Sequence, residues 1–289
     1  MKRYPQIISK LFYEPVIVTP AQHAAMVRVL EARLAAGGDV ADGRWQLSKG
    51  NGRKRVSEDD DYESSEDEGP LGDWETHGKN AIIPVHGVLT GHASDIPMSA
   101  CGCGLDVVAS MIDVAMADSV VENLFFDMRS PGGGVVGTPE VGRKIAGITS
   151  KRTVAFTDSQ CCSGALWLAT QCQQFYATES AAVGSIGVWC AYLDISRQMS
   201  NQGETIQEVS AGKYKTMGAY WKPLKPEEKA IIQKQVDKIY NQFKEAVQTR
   251  RVVADEFMQG QIFDGPEAVA AGLCDGLVEG LDELLTEEV

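Results

Sequence analysis

The most informative segment of the sequence is Asp158-Ser-Gln-Cys-Cys-Ser-Gly-Ala-Leu-Trp-Leu-Ala169. A short apolar, β-rich run at 153–157 precedes it, and an apolar run begins at Gly164. This order predicts a strand, a sharp turn ending at Ser163, and a helix. A hydroxyl on such a turn lies beside backbone N–H groups that have no acceptor within the helix. The segment alone fits two roles for Ser163: a helix N-cap, or the nucleophile of an acyl-transfer enzyme whose oxyanion those N–H groups hold.

Composition and charge narrow the class of protein. The chain has 289 residues, enough for one large or two modest domains, and its 44% hydrophobic and 23% charged residues are typical of a soluble globular protein. A net charge of −13 argues against general nucleic-acid binding, which needs a basic surface. Seven cysteines, an odd number without framework spacing, predict reduced thiols in a cytoplasmic protein and no zinc site. The sequence lacks a membrane-spanning run and a signal peptide, so we expect no membrane anchor.

The chain divides into three predicted segments. Residues 1–36 form an N-terminal helical arm, because Thr19-Pro20 starts an amphipathic pattern that stops at Gly37. Residues 37–79 form an acidic linker, which we expect to be disordered because Asp, Glu and Ser dominate 57–68. Residues 80–289 form the compact domain and end in an acidic tail.

The compact domain has an α/β pattern. Strands and helices alternate along it, which predicts a largely parallel sheet with ligand chemistry at the carboxyl ends of the strands. We expect Pro84 to break the first strand pair and Thr138 to cap the helix that follows the second strand. The predicted strands are 81–89, 122–128, 153–157, 175–177 and 186–192, and the predicted helices are 107–115, 138–148, 164–169, 226–247 and 265–276.

A glycine run, Ser130-Pro-Gly-Gly-Gly134, directly follows one of these strands. Glycines let the backbone approach a ligand closely with its N–H groups exposed, and the proline fixes one dihedral angle. Such a run could cradle a phosphate. It lacks the Gly-Lys-Ser/Thr of a phosphate-binding loop, so an oxyanion or peptide-backbone clamp fits better.

A serine nucleophile needs a base, and histidine is the usual one. His23 lies in the arm and His77 in the linker, while His86 and His92 flank an early strand without an attendant acidic motif. A lysine can serve instead if burial lowers its pKa toward neutrality. Two lysines, both in Ser210–Gly218, are candidates: Lys213 and Lys215.

The order of these motifs resembles the signal peptide peptidase A family of serine proteases. The resemblance covers roughly residues 80–280. It rests on Ser-Pro-Gly-Gly-Gly at 130–134, Cys-Ser-Gly-Ala at 162–165, Val-Gly-Ser-Ile-Gly-Val at 183–188, Gly-Lys-Tyr-Lys at 212–215 and Phe-Asp-Gly-Pro-Glu-Ala-Val-Ala-Ala-Gly-Leu-Cys-Asp-Gly at 263–276. The opening Tyr13–Pro20, the acidic linker and the missing anchor resemble the phage branch of this family, the head maturation proteases.

The resemblance implies a Clp protease/crotonase-like spiral β-β-α fold and a serine–lysine dyad that needs no metal or cofactor. Ser163 matches the nucleophile, Lys215 the general base in preference to Lys213, and Ser185 the serine that holds the lysine amine. The backbone N–H groups that match the oxyanion hole belong to Gly133 and Gly164. The family also implies a ring-like homo-oligomer in which a neighbouring protomer or domain can supply the lysine. The implied substrates are capsid, scaffold or portal proteins in the host cytoplasm and the phage prohead.

Three alternatives stay open at this stage. Cys162, beside the nucleophile, carries an intrinsically better nucleophile and would make a cysteine protease. A bacterial housekeeping peptidase of the same family would share the chemistry but degrade membrane-derived peptides. A crotonase-like acyl-CoA enzyme or a catalytically inactive shell module would use the fold without the dyad.

Overall fold

Parallel strands dominate the architecture, as the alternation of strand and helix patterns predicts. The computed structural model describes residues 16–18, 54–55, 75–93 and 102–286. The strands are β1 Val16–Val18, β2 Lys54–Arg55, β3 Glu75–His77, β4 Asn80–His86, β5 Val88–Thr90, β6 Gly102–Gly104, β7 Asn123–Arg129, β8 Gly132–Gly134, β9 Arg152–Thr157, β10 Gln160–Cys162, β11 Gln174–Ala177, β12 Ala182–Gly184, β13 Ile262–Phe263 and β14 Gly276–Leu277. The helices are α1 Leu105–Ala117, α2 Thr138–Ala146, α3 Gly164–Ala169, α4 Ser196–Asn201, α5 Pro226–Gln248, α6 Gly265–Ala270 and α7 Leu281–Thr286, with a 3-10 turn at Asp255–Phe257.

The central sheet has seven strands in the order β14-β11-β9-β7-β4-β3-β2. Its neighbours pair in parallel except β3 and β4, which are antiparallel. Two smaller sheets have the orders β1-β8-β5-β6 and β10-β12-β13. This confirms a mixed α/β fold with parallel sheets, whereas the spiral β-β-α arrangement stays a prediction.

Burial on both faces explains why the central strands are almost continuously apolar. In β9 every residue after Arg152 is buried, as a parallel sheet covered on both sides requires. One face packs the cluster Phe125, Val154, Phe156 and Leu284. Leu284 lies in α7, so the acidic tail expected from the sequence contains a helix that closes this part of the core.

Two compact units make up the structure. Val188–Gln242 belongs to one, which we call the lysine unit because it contains Lys213 and Lys215. Ile17–Gly187 and Phe243–Val289 belong to the other, which we call the serine unit. It contains Ser163 and the seven-stranded sheet.

The segment boundaries remain predictions, because most of the arm 1–36 and of the linker 37–79 lies outside the described residues. The central sheet does begin before residue 80, however. β2 and β3 fall within the range predicted as a linker, and β3 pairs with β4 from Glu75 opposite Ile82.

Three local predictions are wrong. Residues 186–192 do not form a strand, because β12 ends at Gly184 and Ser185 has a φ of 59°, which no extended strand adopts. Pro84 lies inside β4 and does not break it. The described pairing of β4 with β3 stops at Ile82, so a backbone N–H at residue 84 is not needed to bond β3. Gly137 occupies the N-cap of α2, and the predicted cap Thr138 instead donates its hydroxyl to the Gly134 carbonyl (3.0 Å).

Candidate active site

Ser163 lies on the predicted turn, directly between β10 and α3. β10 pairs in parallel with β12, placing Cys162 opposite Gly184, and the Ser163 N–H donates to the Gly184 carbonyl at 2.8 Å. On the other side, the Cys162 N–H donates to the Ser130 carbonyl at 3.1 Å. The turn is therefore fixed by backbone hydrogen bonds to two of the segments that the sequence singled out.

The backbone of Ser163 is strained. Its φ of 56° and ψ of −119° lie in a region that L residues rarely adopt, and Ser185 is the one other described non-glycine residue with a positive φ. Such conformations cost of order 1–3 kcal/mol each and persist where the surrounding packing enforces them. The residue is only 1% exposed and every residue of α3 is buried.

The first role considered for Ser163, a helix N-cap, is only half correct. Ser163 does occupy the N-cap position of α3, but its side chain makes no capping hydrogen bond. Its carbonyl accepts from the Trp167 N–H at 3.0 Å, so the backbone starts the helix without using the hydroxyl. The side chain is thus left available for another role.

The glycine run forms a short strand, β8. It pairs with β5 so that Gly133 lies opposite Leu89. A Cβ on Gly133 would overlap the Leu89 backbone, whereas one on Gly134 would meet the Leu89 carbonyl only at 3.8 Å. Close approach of the β5 and β8 backbones is what requires glycine at position 133.

Ser185 directly follows the strand that binds the Ser163 N–H. Its side chain is half-buried, and its own N–H donates to the Gln261 carbonyl. Four residues implied as site residues thus lie in the serine unit: Ser163, Gly164, Ser185 and Gly133.

Lys215 lies in the lysine unit, where its side chain is exposed. It belongs to a turn, Gly212–Gly218, that we call the lysine turn. The Lys215 N–H donates to the Gly212 carbonyl at 3.1 Å, and the Met217 N–H donates to the Tyr214 carbonyl at 3.2 Å. A general base of this kind is a buried amine, so the exposed position of Lys215 does not by itself provide one.

Lys213, the other candidate, has partners that favour its charged form. Tyr214 raises the pKa of Lys213 by hydrogen bonding, and Glu227 adds to this with its carboxylate 3.9 Å from the amine. The Lys213 amine also lies 5.0 Å from the centre of the Tyr214 ring. These contacts oppose the loss of a proton that a base must undergo.

The thiol of Cys162 is a poor alternative nucleophile. Burial raises its pKa to about 12, and Cys161 beside it is raised well above its ordinary value for the same reason. Since the thiolate is the reactive form, almost none is present near neutral pH. The Cys162 thiol instead donates to the Ala182 carbonyl at 3.5 Å.

A charged cluster that the sequence analysis missed lies at the ends of the central strands. His86 Nε2 is 2.7 Å from Asp127 Oδ2, and Arg129 bridges Asp127 (3.2 Å) and Asp158 (3.1 Å). The view that His86 lacks an acidic partner is therefore wrong. Residues 127 and 129 are two apart on one strand and so share a face, a signal that could have revealed the Asp127–Arg129 pair.

Two further findings concern all the residues that the structure describes. None of the helices in the described ranges combines the length and apolarity that crossing a bilayer requires. Across the same ranges, no three His, Cys, Asp or Glu side chains gather as metal ligands.

A buried serine on a strained strand-to-helix turn, next to a closely packed glycine strand, is an arrangement suited to acyl transfer. Residues 148–287 match the model of peptidase family S49. This match to an S49 peptidase domain confirms the resemblance drawn from the motif order.

Individual relatives extend the match beyond this domain. The chain is 25% identical to the head-tail preconnector protein GP5 of Enterobacteria phage P21, over 96% of this chain and 56% of that one. It is 25% identical to the capsid assembly protease C of Escherichia phage lambda, over 98% of this chain and 65% of that one. The serine protease SPPA of Arabidopsis thaliana chloroplasts is 29% identical over 51% of this chain and 23% of its own length. The chain therefore spans less than two thirds of the length of these relatives.

Proposed function

We propose that the protein is a serine endopeptidase that acts on capsid, scaffold or portal proteins during phage head maturation. Ser163 is the nucleophile and Lys215 the general base. Under this proposal the domain folds as a Clp protease/crotonase-like spiral and works without a metal or cofactor, in the host cytoplasm and the prohead.

The observation that carries the proposal is the Ser163 turn within the S49 match. A strained backbone maintained by buried packing holds one hydroxyl that does not cap its helix. Serine in a turn gains nothing for stability from this arrangement, since glycine would adopt the same backbone without strain. A requirement for the hydroxyl itself explains why serine is there.

The proposed chemistry begins with attack of Ser163 Oγ on a peptide carbonyl carbon while the neutral Lys215 amine takes the hydroxyl proton. The oxyanion is held by the backbone N–H groups of Gly133 and Gly164. The C–N bond then breaks and the lysine returns its proton to the leaving amine. Water next attacks the acyl carbon while the lysine takes its proton, the ester bond to Ser163 Oγ breaks, and the lysine returns the proton to Oγ.

The choice of Lys215 over Lys213 is supported by their surroundings. Lys213 is engaged by Glu227 and Tyr214, which favour its ammonium form. Lys215 is the second lysine of the Gly-Lys-Tyr-Lys motif, the position that matches the family base. Ser185 is proposed to accept a hydrogen bond from its amine and hold it toward the nucleophile.

An exposed Lys215 supports an assembly-dependent site. A lysine serves as a base near neutral pH when desolvation lowers its pKa, and in the single chain this side chain is exposed. We therefore include in the proposal a homo-oligomeric ring in which contact between protomers buries the lysine, from the same chain or a neighbouring one. Activity should then rise more steeply than linearly with protein concentration below the assembly threshold.

Coverage of the relatives supports the choice of substrate. The two phage proteins align with nearly the whole chain, including the part that precedes the S49 match, whereas the plant protease aligns with about half of it. The words capsid assembly in the name of the lambda protein motivate capsid-related substrates for this chain.

Two single substitutions test the dyad. Ser163→Ala and Lys215→Ala should each lower proteolysis of a capsid or scaffold substrate by at least about a thousandfold, because each removes a reacting group. Mass spectrometry of the cleavage products measures this, with circular dichroism to verify folding. Lys213→Ala is the matched control and should keep most of the activity.

The same assay can reject the proposal. Wild-type turnover by Lys215→Ala would remove the dyad, and equal losses from Lys213→Ala and Lys215→Ala would leave the base unassigned. Failure of a fluorophosphonate to label Ser163 in the assembled wild-type protein would point instead to a shell module without peptidase chemistry.

A further inference from the structure

Glu208 organises the polar contacts around the lysine turn. Its Oε1 accepts a hydrogen bond from the Thr216 hydroxyl (2.7 Å), and its Oε2 accepts one from Trp221 Nε1 (3.2 Å). Lys222 Nζ lies 2.8 Å and 3.1 Å from the two carboxylate oxygens and also donates to the Thr216 hydroxyl at 2.6 Å. Glu208, Thr216 and Lys222 thus form a closed triangle, which we call the Glu208 clamp.

The clamp acts on the residue next to the proposed base. Thr216 directly follows Lys215, and the N–H of Lys215 is bonded within the turn. At the far end of the turn, the ring of Tyr192 packs so closely on Gly218 that a Cβ there would overlap it. The backbone on the C-terminal side of Lys215 is therefore held at two points, although the lysine side chain itself is exposed.

The charge of Glu208 keeps the clamp closed over the working pH range of a peptidase. Hydrogen bonds from Lys222, and then from Thr216, lower the pKa of Glu208 to about 2. A carboxyl whose pKa is depressed on folding contributes stability that is complete above its ordinary pKa and lost as the pH falls through the folded value. The clamp should therefore open only in strong acid.

We propose that Glu208 is a positioning residue for the peptidase reaction: it fixes Thr216 so that the Lys215 backbone already has its catalytic conformation before substrate binds. A pre-ordered base lowers the entropic cost of reaching the transition state, which appears in kcat more than in KM. This inference rests on the proposed role of Lys215. Nothing in it requires Glu208 to touch the substrate.

The test compares two carboxylates in one irregular segment. Glu208→Gln removes the charge of the clamp, and Glu204→Gln removes the same charge from an exposed side chain four residues earlier. In the assembled protein, Glu208→Gln should lower kcat roughly tenfold with KM changed less than about twofold. Hydrogen exchange of peptides covering 212–222 should become faster in this variant, measured by mass spectrometry. Glu204→Gln should leave the kinetics and the exchange unchanged.

A charge exchange distinguishes the clamp from a general loss of structure. Glu208→Lys combined with Lys222→Glu keeps an ion pair around the Thr216 hydroxyl, which can bond to either group. The double variant should recover most of the slow exchange and of kcat, whereas Glu208→Lys alone should not.

The outcomes separate this inference from the proposed function. If Lys215→Ala is inactive while Glu208→Gln changes neither kcat nor exchange, the clamp is rejected and the dyad stands. If Lys215→Ala is fully active, the dyad is rejected, and faster exchange in Glu208→Gln would then describe a clamp with no part in catalysis. Equal effects of Glu204→Gln and Glu208→Gln would also overturn the positioning role.

Discussion

The Ser163 turn and the lysine turn hold their proposed reacting groups by opposite means. Ser163 is 1% exposed and is surrounded by buried residues of α3 and β10. The lysine turn is exposed as far as Lys215, and its end at Gly218 is buried against the Tyr192 ring. Packing holds the whole Ser163 turn, whereas polar contacts hold most of the lysine turn and packing holds only its end.

This difference has an energetic consequence. Buried packing is stiff, so it can maintain a strained backbone at Ser163 that costs of order 1–3 kcal/mol. An ion pair within reach of solvent, such as Glu208–Lys222, contributes little to stability and is weakened by salt. The proposed nucleophile is thus held rigidly in the single chain, whereas the position of the proposed base can be adjusted by an additional contact.

The largest predicted effect tests the rigidity of the serine unit. Gly133→Ala should lower the free energy of unfolding by about 3 kcal/mol, because its Cβ would overlap backbone atoms of Leu89 that cannot move independently. Denaturant titration followed by circular dichroism measures the change. Any remaining folded protein should have lost peptidase activity, since Gly133 is proposed to donate to the oxyanion.

Gly134→Ala is the matched control for this substitution. It adds the same methyl group to the next residue, where the nearest backbone atom outside the run would be 3.8 Å away. It should change stability by less than about 1 kcal/mol. Equal destabilisation by the two variants would show that β8 tolerates no side chain at either position. The overlap between a residue 133 Cβ and the Leu89 backbone would then not explain the effect of Gly133→Ala.

Much of the fold could be predicted from the sequence. The apolar periodicity of α1 and α5 and the apolar run of β9 are local signals, and the structure places these elements within a few residues of the prediction. β12 was missed because its three residues, Ala182–Gly184, have no strand pattern of their own. Pairing with β10 and β13, which are distant in sequence, defines that strand.

The candidate site was predictable in its residues more than in its conformations. The glycine and serine motifs indicate where backbone turns, but no pattern reveals that Ser163 adopts a positive φ, because tertiary packing imposes it. The Glu208 clamp joins residues 8 and 14 positions apart through an irregular segment. Contacts of that kind have neither helical nor strand periodicity, so sequence inspection misses them.

A second substitution tests the lysine turn in the same way. Gly218→Ala should destabilise the lysine unit by about 2 kcal/mol, because the new Cβ would overlap the Tyr192 ring and the residue has a φ of 76°. Gly203→Ala is the control, since its φ of 72° is similar but no atom lies within 4 Å of the added Cβ. It should cost about 1 kcal/mol from the backbone alone.

Hydrogen exchange can show which part of the protein Gly218→Ala destabilises. Faster exchange after Gly218→Ala should be confined to peptides from Val188–Gln242, while the central sheet keeps its protection. Loss of protection throughout the serine unit would contradict the view that the two turns are held independently.

A third prediction concerns strain at the nucleophile. Ser163→Gly and Ser163→Ala should both be inactive, but the glycine variant should be more stable by about 1 kcal/mol because glycine adopts a positive φ without a steric cost. Thermal unfolding of the two inactive variants measures the difference. An alanine variant at least as stable as the glycine variant would mean that the Ser163 backbone is not strained.

The smallest predicted effect is that of removing the thiol beside the proposed nucleophile. Cys162→Ala should change peptidase activity by less than about twofold, because burial raises the pKa of that thiol to about 12 and leaves little thiolate to act as a nucleophile.

At pH 8, iodoacetamide should modify Cys190 in the lysine unit before Cys162. Cys190 is only half-buried, although desolvation raises its pKa as well. Peptide mass spectrometry over time gives the order of labelling. Early alkylation of Cys162 with parallel loss of activity would favour a cysteine nucleophile, and the strained serine beside it would then need another explanation.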